Sequence, residues 1–273
     1  MLFRSDVMNY EEFLAAKAKS VTPSGFDIDE GELNPALFDF QRAIVKWALK
    51  KGKAAMFLDT GLGKTIQQCE WARQVARHTG GNVLIAAPLC VSQQTVEEAA
   101  KFGIEVRYVR DQSQVQPGIS ITNYEMLEHF NPARFDGVCL DESSILKSYT
   151  GKIRNQIIEE WGRVKFRLAA TATPAPNDYM ELGNHSEALG EMGFQDMITR
   201  FFRKETGKDH LGWGRTKFHM KGHAEKDVGP ATHPHFMRWF AAMEARPAVQ
   251  RNNRLAAEIR ERMGRAEIGR AHV

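Results

Sequence analysis

Three cysteines in 273 residues, odd in number and far apart, are too few for a disulfide framework and lack the paired spacing of a zinc site. Cys69, Cys90 and Cys139 are expected to be reduced thiols in the core or near the surface. Long apolar runs are missing too. No stretch is long enough to cross a bilayer, and no charged segment followed by an apolar one stands at the start. A cytoplasmic protein with no membrane partner is expected. Charge of one sign is also scarce: the formal net charge is +3, and the seven Arg and four Glu from Glu244 onward account for all of it. Any cationic groove must then be a local arrangement and not a global field. What remains, 42% hydrophobic and 26% charged, is the makeup of a globular chain of one large or two modest domains.

Against this plain background one stretch stands out, LDTGLGKT from Leu58 to Thr65, set between an apolar run and a helical run. A glycine-rich turn lets successive backbone N–H groups converge on an anion, and the helix that follows adds its positive end. In such a loop Thr60, Gly61, Leu62 and Gly63 line the phosphates, Lys64 reaches the β- and γ-phosphates, and the Thr65 hydroxyl holds Mg²⁺. The strict pattern GxxxxGK(S/T) would put a glycine where this chain has Leu58, so the match is to a variant loop. A plain glycine turn between strand and helix is the competing reading.

The surrounding pattern favours the loop. Leu37 to Lys50 places Leu37, Phe40, Ile44, Trp47 and Ala48 on one helical face, with Asn34 and Pro35 suited to a helix start. Gln41 lies beside that face, and its amide offers the donor and acceptor needed to read the N6 and N7 edge of adenine. Lys53 to Leu58 reads as a strand, and Thr65 to His78 as a helix. Further strands are expected at Val83 to Pro88, Glu105 to Arg110, Ile119 to Asn123, Gly137 to Leu140 and Arg167 to Thr171, with a helix at Ser92 to Phe102. Strands alternating with helices imply an α/β fold, a doubly wound parallel sheet with helices on both faces. Sites in such sheets lie beyond the carboxyl ends of the strands.

That rule gathers a second motif into the same crevice. Asp141 and Glu142 follow a four-residue apolar strand, 77 residues after Lys64. An aspartate there can hold Mg²⁺, and the next glutamate can polarise an attacking water.

The order of these motifs resembles the first motor domain of a superfamily-two helicase, most closely the Swi/Snf-like branch of phage and bacterial type. LFDFQ is similar to the adenine-reading segment, DTGLGKT to motif I, APLCVSQQT to motif Ia and ITNYEML to motif Ib. DESSILKS resembles motif II, and TATPAPNDYMELGN resembles motif III. The resemblance runs from about Asn9 to about Trp239. It implies a RecA-like P-loop NTPase fold, with ATP and Mg²⁺ as cofactors. It implies Lys64, Asp141 and Glu142 as catalytic residues, Thr65 and Asp141 as Mg²⁺ ligands, and Gln41 on the base. It further implies that Pro88, Ser92, Thr122, Asn123 and Tyr124 approach a nucleic-acid backbone, that DNA is the partner, and that Thr171 and Thr173 couple hydrolysis to movement.

The expected organisation is an extension over 1–33, the RecA-like domain over 34–190, a peripheral helical insertion over 191–243 and an Arg-rich tail over 244–273. Phe201 to His235 holds five histidines among lysines and glycines but no cysteine, which suits a basic, nucleic-acid-facing insertion better than zinc. No second set of alternating strands and helices follows Trp239, so the opposing RecA-like domain is expected to be missing from this chain. Both ends, LFRS and EIGRAHV, can be written in codons that spell a sequencing adapter in opposite orientations. On that expectation Met8 is the natural start and the parent gene continues. Two functions follow: an ATP-dependent helicase or translocase, or a nucleotide switch without strand separation. A small-molecule kinase is disfavoured because motifs Ib and III would then have no role.

Overall fold

A computed structural model describes residues 23–147, 151–174, 179–208 and 214–221. The first 22 residues of the expected extension and the Arg-rich tail over 244–273 lie outside the described residues.

Helix α1, Asp39–Lys51, buries Phe40, Ile44, Val45, Ala48 and Leu49 and stops at Gly52, whose φ of 76° continues no helix. Strand β1, Lys53–Phe57, then leads through the glycine loop into α2, Lys64–Thr79. Strand β2 (Asn82–Ala87) is followed at once by α3 (Leu89–Lys101). The expected helix start at Ser92 is thus three residues late. Pro88 takes the capping position, where its missing N–H costs nothing, and the Ser92 hydroxyl donates back to the Pro88 carbonyl at 3.2 Å. Strands β3 (Val106–Tyr108), β4 (Gly118–Asn123) and β5 (Gly137–Asp141) come next. Helix α4 (Lys152–Glu159) and strand β6 (Phe166–Thr171) complete the sheet.

The six strands are all parallel, in the order β1-β6-β5-β2-β4-β3. Period-two alternation divides their side chains between two cores. Val83, Ile85, Ala87, Cys139, Leu168 and Ala170 join α1, α2 and α3 on one face. Leu84, Ala86, Val138 and Leu140 join Ile157, Trp161 and the 3-10 turn carrying Tyr124 and Leu127 on the other. Burial on both faces explains why each strand reads as a continuous apolar run. Helix α5, Leu182–Leu189, lies on the second face, where Ala188 joins that core. Among the described residues no helix is long and apolar enough to cross a membrane.

Two regions differ from the expected organisation. The described part of the 1–33 extension is sealed into the domain. Ser24 N–H donates to Lys51 O, and Phe26 N–H to Leu49 O, which also takes the Gly52 N–H at the end of α1. Phe26 stacks on His78, with centroids 3.7 Å apart, and Ile28 and Leu33 enter the first core. These apolar positions have neither helical nor strand period, so their burial left no pattern to read. The 191–243 segment begins with α6, Phe194–Phe201, and continues as an antiparallel hairpin of β7, Phe202–Lys208, and β8, Gly214–Met220, in place of the helical periphery expected. Its root is a small core of Met180, Met197, Ile198 and Phe202.

Gly25 tests the first of these findings. A Cβ added there would lie 1.8 Å from Leu49 O, a backbone atom that cannot move aside. Gly25→Ala is expected to lower stability by about 1–3 kcal/mol in urea unfolding. An unchanged midpoint would mean that residues 23–33 are not packed on α1.

Candidate nucleotide and nucleic-acid site

The glycine loop leaves the carboxyl end of β1 and closes on the first turn of α2. Gly63 caps that helix with a φ of 70°, and no side chain bonds its first N–H groups. Those donors are left to converge on the mouth of the loop, as an anion requires. Lys64 folds over the loop, its ammonium donating to Leu58 O at 3.1 Å and Asp59 O at 3.3 Å. Thr65 follows, half-buried, while Thr60 and Gly61 are exposed. Gln41 is buried and reaches the loop from α1: its amide accepts from Phe38 N–H and donates to Leu62 O at 3.1 Å. A Cβ on Gly63 would lie 2.5 Å from that amide nitrogen, the movable end of a side chain, so it is the φ of 70° that calls for glycine here.

Asp141 and Glu142 end β5, with β6 running between them and the loop strand. Asp141 is 8% exposed. Its Oδ1 accepts from Gln68 Nε2 at 2.7 Å and from Glu142 N–H at 3.0 Å. Burial pushes its carboxyl above the ordinary range, opposed by the Gln68 bond and the nearby Lys64 charge. Glu142 has a φ of 47°, the one positive value at a non-glycine among the described residues. Such a backbone costs on the order of 1–3 kcal/mol and persists only where neighbours hold it. Here Thr171, at the end of β6, donates its hydroxyl to Glu142 Oε2 at 3.2 Å and accepts from Thr173 N–H at 3.1 Å. Loop, acid pair and threonine therefore lie at the carboxyl ends of three neighbouring strands.

Residues that sequence reading passed over complete the site. Gln68 lies one helical turn beyond Lys64 and is 2% exposed. On α5, Asn184 donates to Leu146 O at 2.7 Å, and His185 Nε2 lies 3.1 Å from Ser143 Oγ. Both bonds hold the 3-10 turn Ser143–Lys147 directly behind Glu142. Burial lowers the His185 imidazole to about 4 from its ordinary 6.5, so the ring is neutral near pH 7. The spacing of Gln68 from Lys64 was the one signal available for it.

The nucleic-acid candidates fare differently. Pro88 is half-buried at the end of β2, beside exposed Leu89 and Cys90. Ser92, Thr122, Asn123 and Tyr124 are all buried, at 3% exposure or less. Their polar side chains are turned into the domain. The Ser92 hydroxyl is spent on Pro88 O. The Asn123 amide caps the 3-10 turn Tyr124–His129 through Met126 N–H and donates to the Tyr108 hydroxyl. The Tyr124 hydroxyl donates to Asp141 O at 2.6 Å. They shape the crevice from beneath.

The donor set suits a Mg²⁺–nucleoside triphosphate: a lysine and unpaired helix N–H groups for phosphate, and a hydroxyl and a carboxylate for the metal. A glycine loop of this form on a doubly wound parallel sheet defines an α/β domain of RecA-like, P-loop fold. No family model and no curated protein matches the chain. Among solved structures, the Sulfolobus solfataricus SWI2/SNF2 ATPase core in complex with dsDNA matches with a TM-score of 0.55 at 22% identity, over 64% of this chain and 40% of that one. The UvsW helicase from bacteriophage T4 matches with a TM-score of 0.48 at 16% identity, over 69% and 67%. The Pyrococcus furiosus Hef helicase domain matches at 0.47 and 17%, over 56% and 37%. The fold is therefore that of the matching part of the archaeal SWI2/SNF2 ATPase core, and the match spans 40% of that chain's length.

The neutral His185 makes a pH prediction. Unfolded, the imidazole takes its proton near 6.5; folded, near 4. Between these values the unfolded state binds more protons, so the stability due to burying a neutral ring is complete above about pH 6.5 and is lost as pH falls towards 4. The loss is on the order of 3 kcal/mol. Melting curves of wild type and His185→Gln over this range are expected to show a shallower acid fall in the variant. Parallel curves would show that the ring is not held neutral.

Proposed function

We propose that this chain is the ATP-binding motor domain of a nucleic-acid-stimulated ATPase of the helicase or translocase kind, acting on DNA. The observation that carries the reading is the convergence of the Lys64 loop, the Asp141–Glu142 pair and Thr171 at the carboxyl ends of three neighbouring strands, with every member held by a named bond. An ATP switch could use the loop and Asp141 alone. A Glu142 held at a costly backbone angle and tied through Thr171 to the segment after β6 suits hydrolysis coupled to movement. DNA as the partner is supported by the dsDNA-bound archaeal ATPase core of the same fold.

In this reading Lys64 leaves the Leu58 and Asp59 carbonyls for the β- and γ-phosphates, while the first N–H groups of α2 hold the phosphate oxygens. Gln41, with its bonds to Phe38 and Leu62, sits where the base would meet the loop. Thr65 and Asp141 would hold Mg²⁺, whose chemistry when bound would be to neutralise phosphate charge. Glu142 orients the attacking water and takes its proton. Thr171 keeps that carboxylate in place and, through Thr173, ties it to the segment that follows β6. A second RecA-like domain would supply the arginines that stabilise the transferred charge, a contribution on the order of 10³ to 10⁵ in rate. Alone, this chain is expected to bind ATP and to turn it over slowly.

Two measurements test this. Lys64→Ala is expected to weaken ATP binding by about 10- to 100-fold, the worth of a charged hydrogen bond. Joined to a second RecA-like domain, the protein is expected to hydrolyse ATP faster when duplex DNA is added, and Glu142→Gln to lower that rate at least about 100-fold while leaving ATP affinity nearly unchanged. Turnover indifferent to DNA would overturn the reading, and strand displacement would separate a helicase from a duplex translocase.

A further inference from the structure

Gln68 is a buried amide with both ends committed. Its Nε2 donates to Asp141 Oδ1 at 2.7 Å, and its Oε1 faces the Cys139 thiol at 3.4 Å. A carboxylate can only accept and a buried thiol here can only donate, so the two neighbours fix which way the amide points. Asp141 Oδ1 also takes the Glu142 N–H, which fills that oxygen and leaves Oδ2 as the one turned to other work. Gln68 stands four residues after Lys64 and three after Thr65 on α2, so one rigid helix carries the phosphate loop at its start and grips the acid one turn later. Cys139 lies on β5 itself, two residues before Asp141, which anchors the far end of the amide to the strand that delivers the acid.

We propose that Gln68 is a positioning residue for the metal ligand: it pins one oxygen of Asp141 so that the other meets Mg²⁺, and it ties that oxygen to the helix that holds the phosphates. The inference rests on the nucleotide-site reading above and deepens it. Glutamine at this place then does for a carboxylate what outer-shell partners do for ligands generally, and their loss costs about 10- to 100-fold in metal affinity.

The test uses the full chain and a fluorescent methylanthraniloyl-ADP, titrated with and without MgCl₂. Gln68→Met keeps the volume of the side chain and removes both bonds, and Gln68→Ala, the substitution a helix tolerates best, serves as a second variant. Both are checked by thermal melting. In wild type, Mg²⁺ is expected to tighten the nucleotide. In the variants, Mg²⁺-free binding is expected to stay within about threefold of wild type, while the gain from Mg²⁺ shrinks and the Mg²⁺ concentration needed rises by about 10-fold or more. Variants that keep the full Mg²⁺ gain would overturn the inference alone. Variants that lose Mg²⁺-free binding to the same degree would overturn it as well, since Gln68 would then be bracing the loop and not the acid. A wild type that takes no nucleotide would overturn the nucleotide-site reading, and this inference with it.

Discussion

Strand β6 runs between β1 and β5, and the chemistry of the domain depends on that adjacency. In a parallel sheet all carboxyl ends emerge on one side, and neighbouring strands lie about 4.8 Å apart. Placing β6 between the loop strand and the acid strand sets them about 10 Å apart and puts Thr171 between them. The Thr171 hydroxyl lies in the floor of that gap and donates to Glu142. Had β5 paired with β1 directly, the acid pair would crowd the loop.

Helix α2 turns this spacing into a fixed arrangement. A helix lying on a sheet is ordinarily buried through apolar residues, yet α2 also buries Gln67, Gln68, Glu70 and Gln74. Each has a structural partner. Gln67 Nε2 donates to Leu62 O and Gly63 O within the loop, its Oε1 lacking a partner among the described residues, and Gln68 holds Asp141. Glu70 accepts from Asn34 N–H, Arg73 and Gln74, and so anchors the turn that leads into Gln41's helix. Buried polar groups are costly unless paired, and once paired they specify one geometry. One helix thereby sets the loop, the acid and the approach of Gln41.

The sheet was legible because each strand is a short apolar run closed by a turn signal, and because a six-motif order left few topologies. The loop survived the substitution of Leu58 for glycine, since Leu58 enters the first core as the last apolar residue of the strand while the glycines needed for φ come later. The side-chain assignments were less legible, for a physical reason. Hydroxyls and amides at strand ends look free in a sequence, but Ser92, Asn123 and Tyr124 spend theirs on capping and on the Asp141 carbonyl. Gln68 was hidden in the opposite way. A glutamine in a helix reads as solvent-facing, and only the crossing of α2 over β5 shows otherwise. The backbone angle at Glu142 carries no composition signal at all, and neither does the packing of Phe26, Ile28 and Leu33, which have no period.

Lys64 at rest on the Leu58 and Asp59 carbonyls bears on how an anion would leave the loop as much as on how it would enter. An ammonium that must abandon two good acceptors to meet a phosphate gains less from the meeting than a free one would. The same two carbonyls receive it again when the phosphate departs, so the emptied loop is not left with an unsolvated charge. Such a lysine holds an anion more loosely, and lets it go sooner, than an ammonium with no acceptors of its own.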